Sequence, residues 1–321
     1  MNYYIEAIDY YLPDHIIDNE YLEKECGIDR EFTENKVGIR ERRIAAPEET
    51  TSSMAVNAAR ILIEKNNINT EDIGMILLCT QNPDYRLPTT ACIVQDKVGL
   101  DKSTMAFDIN LGCSAFTYAL PIAGNFIKNG TIKKALIITS EQYSKVTNFK
   151  DHSTAAIFGD AAASTLLSSC PDGYGVMDSN FGTDGSGAEK LIVPNSGVAK
   201  DSSQSNYLFM DGREIFKFSM FTVPPSIKEL LKRNNFEHKD IRYFILHQAN
   251  KYMLGELQKR MKLTDEQMII DMELIGNTVS STIPIALKNL MAKNVLKRND
   301  LMLFSGFGVG LSWANALYKV Y

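Results

Sequence analysis

Three residues hold the chemistry that this sequence offers: Cys113 in Asn110-Leu-Gly-Cys-Ser-Ala-Phe116, His247 in His247-Gln-Ala-Asn250, and Asn277 in Gly276-Asn-Thr278. A cysteine where a strand turns into a helix meets the positive end of the helix dipole and unpaired backbone N–H groups, which favour the thiolate and so a nucleophile. A nearby histidine can orient or polarise, and an asparagine amide can donate to negative charge developing on oxygen. Together the three suit acyl transfer. Each also has a plain structural reading, since a free cysteine is most often a small buried hydrophobe, and spacing alone leaves both readings open. Cys26, Cys79, Cys92 and Cys170 lack the strand-to-helix setting and are expected to be core or surface residues. His15, His152 and His238 have no ligand spacing and H-E-x-x-H is absent, so no metal is expected. Gly182-Thr-Asp-Gly-Ser-Gly187 lacks the Lys-Ser/Thr end of a phosphate loop and predicts a flexible turn.

Positioning such residues takes a large core, and 321 residues at 45% hydrophobic and 23% charged provide one. Disorder, collagen and coiled coil are excluded. A net charge of −5 offers no field for phosphate backbones, so nucleic acid is not an expected partner. Five cysteines, an odd number without C-x-x-C, predict reduced thiols and a cytoplasmic location. The start, Met-Asn-Tyr-Tyr-Ile-Glu, lacks a basic and apolar leader, so no secretion signal is expected. Ile109 to Ile127 runs without a charge, long enough to span a membrane. Its Asn110, Ser114, Thr117, Pro121 and Asn125 favour a helix buried in an α/β core instead, kinked at Pro121, and no membrane is expected.

Strands are expected at Ile73–Cys79, Thr104–Ile109, Ala135–Thr139, Phe244–Leu246, Met268–Ile270 and Leu301–Phe304. Helices are expected at Ser52–Asn66, Thr89–Val98, Ser114–Asn129, Arg213–Asn234, Lys251–Met261 and Val279–Asn294. Their alternation predicts an α/β fold with buried sheets. Pro171 to Gly187, then Pro194 to Ser205, reads as an irregular seam, with similar halves at 1–170 and 171–321. Asp72-Ile73 leads through Ile76-Leu77-Leu78 to Cys79, and Asp240-Ile241 leads through Phe244-Ile245-Leu246 to His247 at the same interval. Met105-Ala-Phe-Asp108 precedes Gly112-Cys113 as Met268-Ile-Ile-Asp271 precedes Gly276-Asn277, with one residue of slip. Lys133-Lys134 and Lys297-Arg298 then open matching strands. A duplicated half-chain unit follows, in which a pseudo-twofold axis brings the Cys113 and Asn277 turns together.

Gly38-Ile-Arg-Glu-Arg-Arg-Ile-Ala45, Asn110 to Phe116, Phe158-Gly-Asp160, His247 to Asn250, Gly276 to Thr278 and Gly306-Phe-Gly-Val-Gly-Leu-Ser-Trp313 resemble, in order along the whole chain, the β-ketoacyl-[acyl-carrier-protein] synthase III family. The resemblance implies a thiolase-like five-layer α-β-α-β-α fold of two duplicated halves, a homodimer, and no cofactor beyond phosphopantetheine thioesters. It implies decarboxylative Claisen condensation of an acyl primer with malonyl-acyl-carrier protein. Cys113 would accept the acyl group, His247 and Asn277 would stabilise the enolate, and the backbone N–H groups of Cys113 and Val309 would form the first oxyanion hole. Acyl-CoA-primed members often place Trp and two or more Arg around the nucleotide; the matching positions here are Phe32, Lys36, His152 and Tyr252. A weaker hold on CoA and a carrier-bound primer both fit. Phe307, in the last motif, and Leu87, where the family's dimer partner closes the acyl pocket with a side chain, complete the substrate contacts. Leu87 in place of the bulkier Phe of short-chain members leaves room for longer or branched primers.

The acidic carrier protein needs a basic landing surface, expected at Lys251, Lys259 and Lys262, which fall within about 80° on a helical wheel while Arg260 points away. Hydroxymethylglutaryl-CoA synthases carry an acidic glutamate where this chain has Gln81, and type III polyketide synthases lack the His-Gln-Ala-Asn context, so neither fits. Two alternatives remain: acyl transfer from Cys113 to an oxygen or nitrogen acceptor, and a non-catalytic acyl-binding homologue.

Overall fold

The computed structural model describes residues 1–199 and 203–321; residues 200–202 of the expected seam lie outside the described residues. A five-stranded sheet combines β1 (Asn2–Tyr11), β2 (Ile73–Cys79), β3 (Met105–Ile109), β4 (Lys134–Glu141) and β5 (Ala161–Cys170) in the order β1-β5-β4-β2-β3. β2 runs parallel to β3 and β4, and β5 runs antiparallel to β4 and β1. A four-stranded sheet combines β6 (Gly175–Thr183), β7 (Tyr243–Leu246), β8 (Leu301–Gly308) and β9 (Ser312–Lys319) in the order β7-β8-β9-β6. Here β7 and β8 are parallel and the remaining pairs antiparallel. β2, central in its sheet, and β7, at the edge of the second, are continuous apolar runs because both faces of their sheets are covered.

The layers follow from which helices those faces bury. α1 (Thr51–Asn66) and α2 (Thr90–Val98) cover the outside of the first sheet. α4 (Gly212–Arg233) covers the outside of the second sheet, with α5 (Lys251–Met261) against it. α3 (Ala115–Lys128) and α6 (Thr282–Ala292) lie between the sheets, which explains why α3 is apolar nearly all round. The five layers are α-β-α-β-α. The uncharged stretch is thus the central helix, continuous through Pro121. Among the described residues no helix is long and apolar enough to cross a membrane.

Two expected features are corrected. Met268–Ile270 is no strand: a single parallel bridge joins Met268 to Phe244, at the place where the first sheet has β3. The Gln248 amide donates to the carbonyls of Leu246 and Ile269 and accepts from the Asp271 N–H, so a side chain stands where further ladder bonds would form. The expected irregular stretch Pro171–Gly187 is largely β6, which pairs with β9. Its glycines and polar residues hid a strand whose outer positions are half exposed. β1, β5 and β9 had no counterpart in the sequence reading.

Candidate active site

Cys113 lies in the turn from β3 to α3, one residue before the cap Ser114, and is buried. β8 closes over it. A Cβ at Gly308 would stand 3.0 Å from Cys113 Sγ, a close approach that only glycine leaves unstrained. The backbone N–H groups of Val309 and Cys113 bond to the sulfur and favour its thiolate, but burial first and Glu141 second push the thiol up to about 12. The expectation that the helix terminus leaves a thiolate is therefore corrected. Cys113 rests as a thiol because desolvation under β8 outweighs its donors.

His247 follows the last residue of β7, and its backbone N–H donates to the Ser305 carbonyl of β8. Burial lowers it to about 3, so the imidazole is neutral. Its Nδ1 lies 2.8 Å from Thr282 Oγ1. The Phe307 ring meets it edge-on at 5.8 Å. Phe307 is itself buried and backs the histidine. Asn277 Oδ1 accepts from the Val279 N–H at 2.9 Å, while Nδ2 reaches the Ala249 carbonyl only at 3.5 Å. That turn holds Val279 at φ 55, a region a β-branched residue rarely enters, and the turn packs into the same core as Cys113, Tyr143, Phe158 and Phe307. From this turn the Ser280 hydroxyl reaches Glu141 at 3.5 Å, and Glu141 is the carboxyl whose ionised form raises Cys113.

Four residues beside the site were not singled out from the sequence as parts of it: Gln81, Glu141, Tyr143 and Thr282. Glu141 is fully buried at the end of β4, its carboxyl pushed well above the usual range by burial despite the Gln81 N–H. A carboxylate ending an apolar strand was the available signal. A cavity of about 280 Å³ has Gln81, Tyr143, Leu191, Leu208 and Val309 among its walls, and Gln81 and Val309 both approach Gly112, the residue before Cys113.

The peripheral residues are more scattered. Phe32 and Lys36 are exposed on the segment that packs against α5, and Tyr252 is exposed on α5, stacked on Phe216 at 5.6 Å. His152 is exposed at the head of a separate short helix, His152–Ala155. Leu87 is 83% exposed. Lys251 packs its stem on Gly38 and Lys259 pairs with Glu256 at 2.7 Å. Lys262 is the left-handed cap beyond α5, φ 55, so the grouping of three lysines on one helix face is corrected. It lines a groove with Lys228 and Lys232 instead.

Residues 107–185 match the family profile "3-Oxoacyl-[acyl-carrier-protein (ACP)] synthase III", and 231–320 match its C-terminal counterpart. A curated "Beta-ketoacyl-[acyl-carrier-protein] synthase III" of Caldanaerobacter subterraneus subsp. tengcongensis is 37% identical over 315 residues, 96% of this chain and 95% of the relative. The chain belongs to the β-ketoacyl-[acyl-carrier-protein] synthase III family. A solved 3-oxoacyl-(acyl-carrier-protein) synthase III superposes with TM-score 0.95 at 36% identity, covering 99% of this chain and 100% of the other. The Aquifex aeolicus synthase III does so at 0.91 and 33%, covering 99% of each. This synthase III member therefore has the thiolase-like fold.

Proposed function

We propose that this chain is an acyltransferase that joins an acyl primer to malonyl-acyl-carrier protein, releasing carbon dioxide and forming a 3-oxoacyl thioester. What supports the reading is the presence of two separate donor sets, backbone N–H groups on the Cys113 sulfur and a neutral His247 beside the Asn277 turn. Cys113 Sγ attacks the primer thioester carbonyl, a C–S bond forms, and the departing pantetheine thiol leaves with the proton. The Cys113 and Val309 N–H groups hold the tetrahedral oxyanion. In the malonyl thioester the bond to the carboxylate breaks, carbon dioxide leaves, and the electron pair becomes an enolate held by His247 and Asn277. The enolate carbon attacks the acyl-cysteine, a C–C bond forms, the C–S bond breaks with its pair on Cys113, and the sulfur takes a proton from solvent. A histidine that resists protonation donates a hydrogen bond without quenching the enolate.

Carboxyl-labelled malonyl-carrier tests this reading. Wild type releases labelled carbon dioxide, while His247→Ala or Asn277→Ala lowers release by about 10² to 10³ and leaves Cys113 acylation largely intact. No release from wild type refutes condensation and favours acyl transfer to an oxygen or nitrogen acceptor.

The finer reading is a cytoplasmic homodimer of chains built from the halves 1–170 and 171–321, using phosphopantetheine thioesters and no other cofactor. Support for the dimer lies at edge strand β3, whose residues all stay partly exposed. Its Asp108 accepts from the Thr90 and Ala91 N–H groups, tying the exposed Leu87 loop to that edge. Phe32, Lys36 and His152 are read as contacts for the primer's CoA or carrier end.

A further inference from the structure

The cavity near the Cys113 turn has a mixed lining. Leu191, Leu208 and Val309 are apolar, while Gln81, Asn82 and Tyr143 are polar, and Gln81 and Val309 both approach Gly112. Tyr143 donates to Gln81 Oε1 at 2.6 Å, and burial keeps that phenol protonated, so the amide is oriented with its oxygen toward Tyr143. Gln81 Nε2 then carries two N–H donors with no hydrogen-bond partner among the described residues. Asn82 Nδ2 is buried without a partner. Buried donors are almost always satisfied, so Asn82 Nδ2 calls for an acceptor, and the open, partly exposed Gln81 Nε2 belongs to the same cavity lining. Gly112, the residue before the nucleophile, makes room for them: a Cβ on it would lie 2.3 Å from Gln81 Oε1. Among the described residues no lysine or arginine lines the cavity, so they offer a carboxylate no compensating charge.

We propose that this pocket selects an acyl primer bearing an uncharged oxygen beyond the thioester carbonyl, a hydroxyacyl or oxoacyl thioester, with Gln81 Nε2 donating to that oxygen. The inference rests on the reading of Cys113 as the acyl acceptor. An unsubstituted primer leaves both amides unpaired, which is how polar sites reject analogues lacking the matching group. Apolar chains of the same length fill the space and forfeit the hydrogen bond.

The test compares butyryl-, 3-hydroxybutyryl-, 3-oxobutyryl- and succinyl-CoA on the full-length protein, following Cys113 acylation by intact mass and condensation with malonyl-carrier. One or both of the oxygenated, uncharged primers should exceed butyryl at least tenfold in kcat/KM, the two arms telling hydroxyl from oxo, with succinyl poorest. Gln81→Leu should collapse the oxygenated-to-butyryl ratio, and Tyr143→Phe, which frees the amide to turn, should lower it severalfold. The melting temperature of each variant identifies any that fails to fold. Butyryl equal to or better than both oxygenated primers in wild type, or a ratio unmoved in both variants, overturns the proposal. If the primers are discriminated at acylation but no carbon dioxide or 3-oxo product appears, condensation fails and the pocket assignment stands.

Discussion

His247 Nδ1 and Thr282 Oγ1 stand 2.8 Å apart, and the same hydroxyl lies 2.9 Å from the Val279 carbonyl. Thr282 has one proton for two acceptors. With that proton on Val279, the ring donates from Nδ1 and presents a bare Nε2; with it turned to Nδ1, the ring presents Nε2–H, the form an enolate oxygen needs. Thr282 is thus a positioning residue. Thr282→Val should slow decarboxylation about threefold to tenfold, the worth of one net hydrogen bond, with Cys113 acylation unchanged and Thr282→Ser restoring the rate. Equal loss in both half-reactions would mark the hydroxyl as merely structural.

Cys113 should alkylate as a buried thiol. With its pKa pushed to about 12 by burial and then Glu141, thiolate and hence rate rise with pH without levelling below pH 10. Glu141→Gln removes the second cause and shifts the profile to lower pH. Mass spectrometry after iodoacetamide pulses reads both, with Cys113→Ser as the blank. A plateau near neutral pH would show the helix end outweighing burial.

Leu87 is the other lever on primer size. Leu87 is 83% exposed, and a single exposed leucine does not by itself require a covering chain, so the assignment rests on the test. Leu87→Phe should move preference toward acetyl primers, and Leu87→Asp should shift a dimer toward monomer in sedimentation. A wild type already restricted to acetyl, with no change in Leu87→Phe, contradicts the assignment.

Of the three lysines proposed for carrier docking, Lys251 and Lys259 lie on α5. Reversing both to Glu should lower carrier-dependent kcat/KM about fivefold at low salt, and the gap should close as salt screens it. A loss that persists at 0.5 M salt would point to altered folding rather than docking.

Much of this molecule is legible in one dimension. The runs Ile73–Cys79 and Phe244–Leu246 read as strands because their apolar residues are local and continuous, and α5 falls at Lys251–Met261 as its periodicity requires. The repeated intervals ending at Cys79 and His247, and at Cys113 and Asn277, identify the same turns that the fold brings together. Chemistry at those turns is another matter, because it depends on what covers them. Segments distant in sequence, β8 among them, bury Cys113, and that burial reverses the effect of its helix end. Met268–Ile270 has a strand's composition, yet the Gln248 amide occupies the carbonyls a strand would have used. β6 reads as loop because its Gly, Ser and Asn follow no alternation, and pairing with β9 makes it a strand. Gln81 shows in the sequence only as a missing acid. Its orientation comes from Tyr143, 62 residues away, and its open amide from a cavity that no spacing rule contains. Residue types and local periods were set by the sequence alone; protonation states, donor directions and the shape of the pocket were decided by long-range burial, since desolvation and hydrogen-bond competition exist only between packed elements.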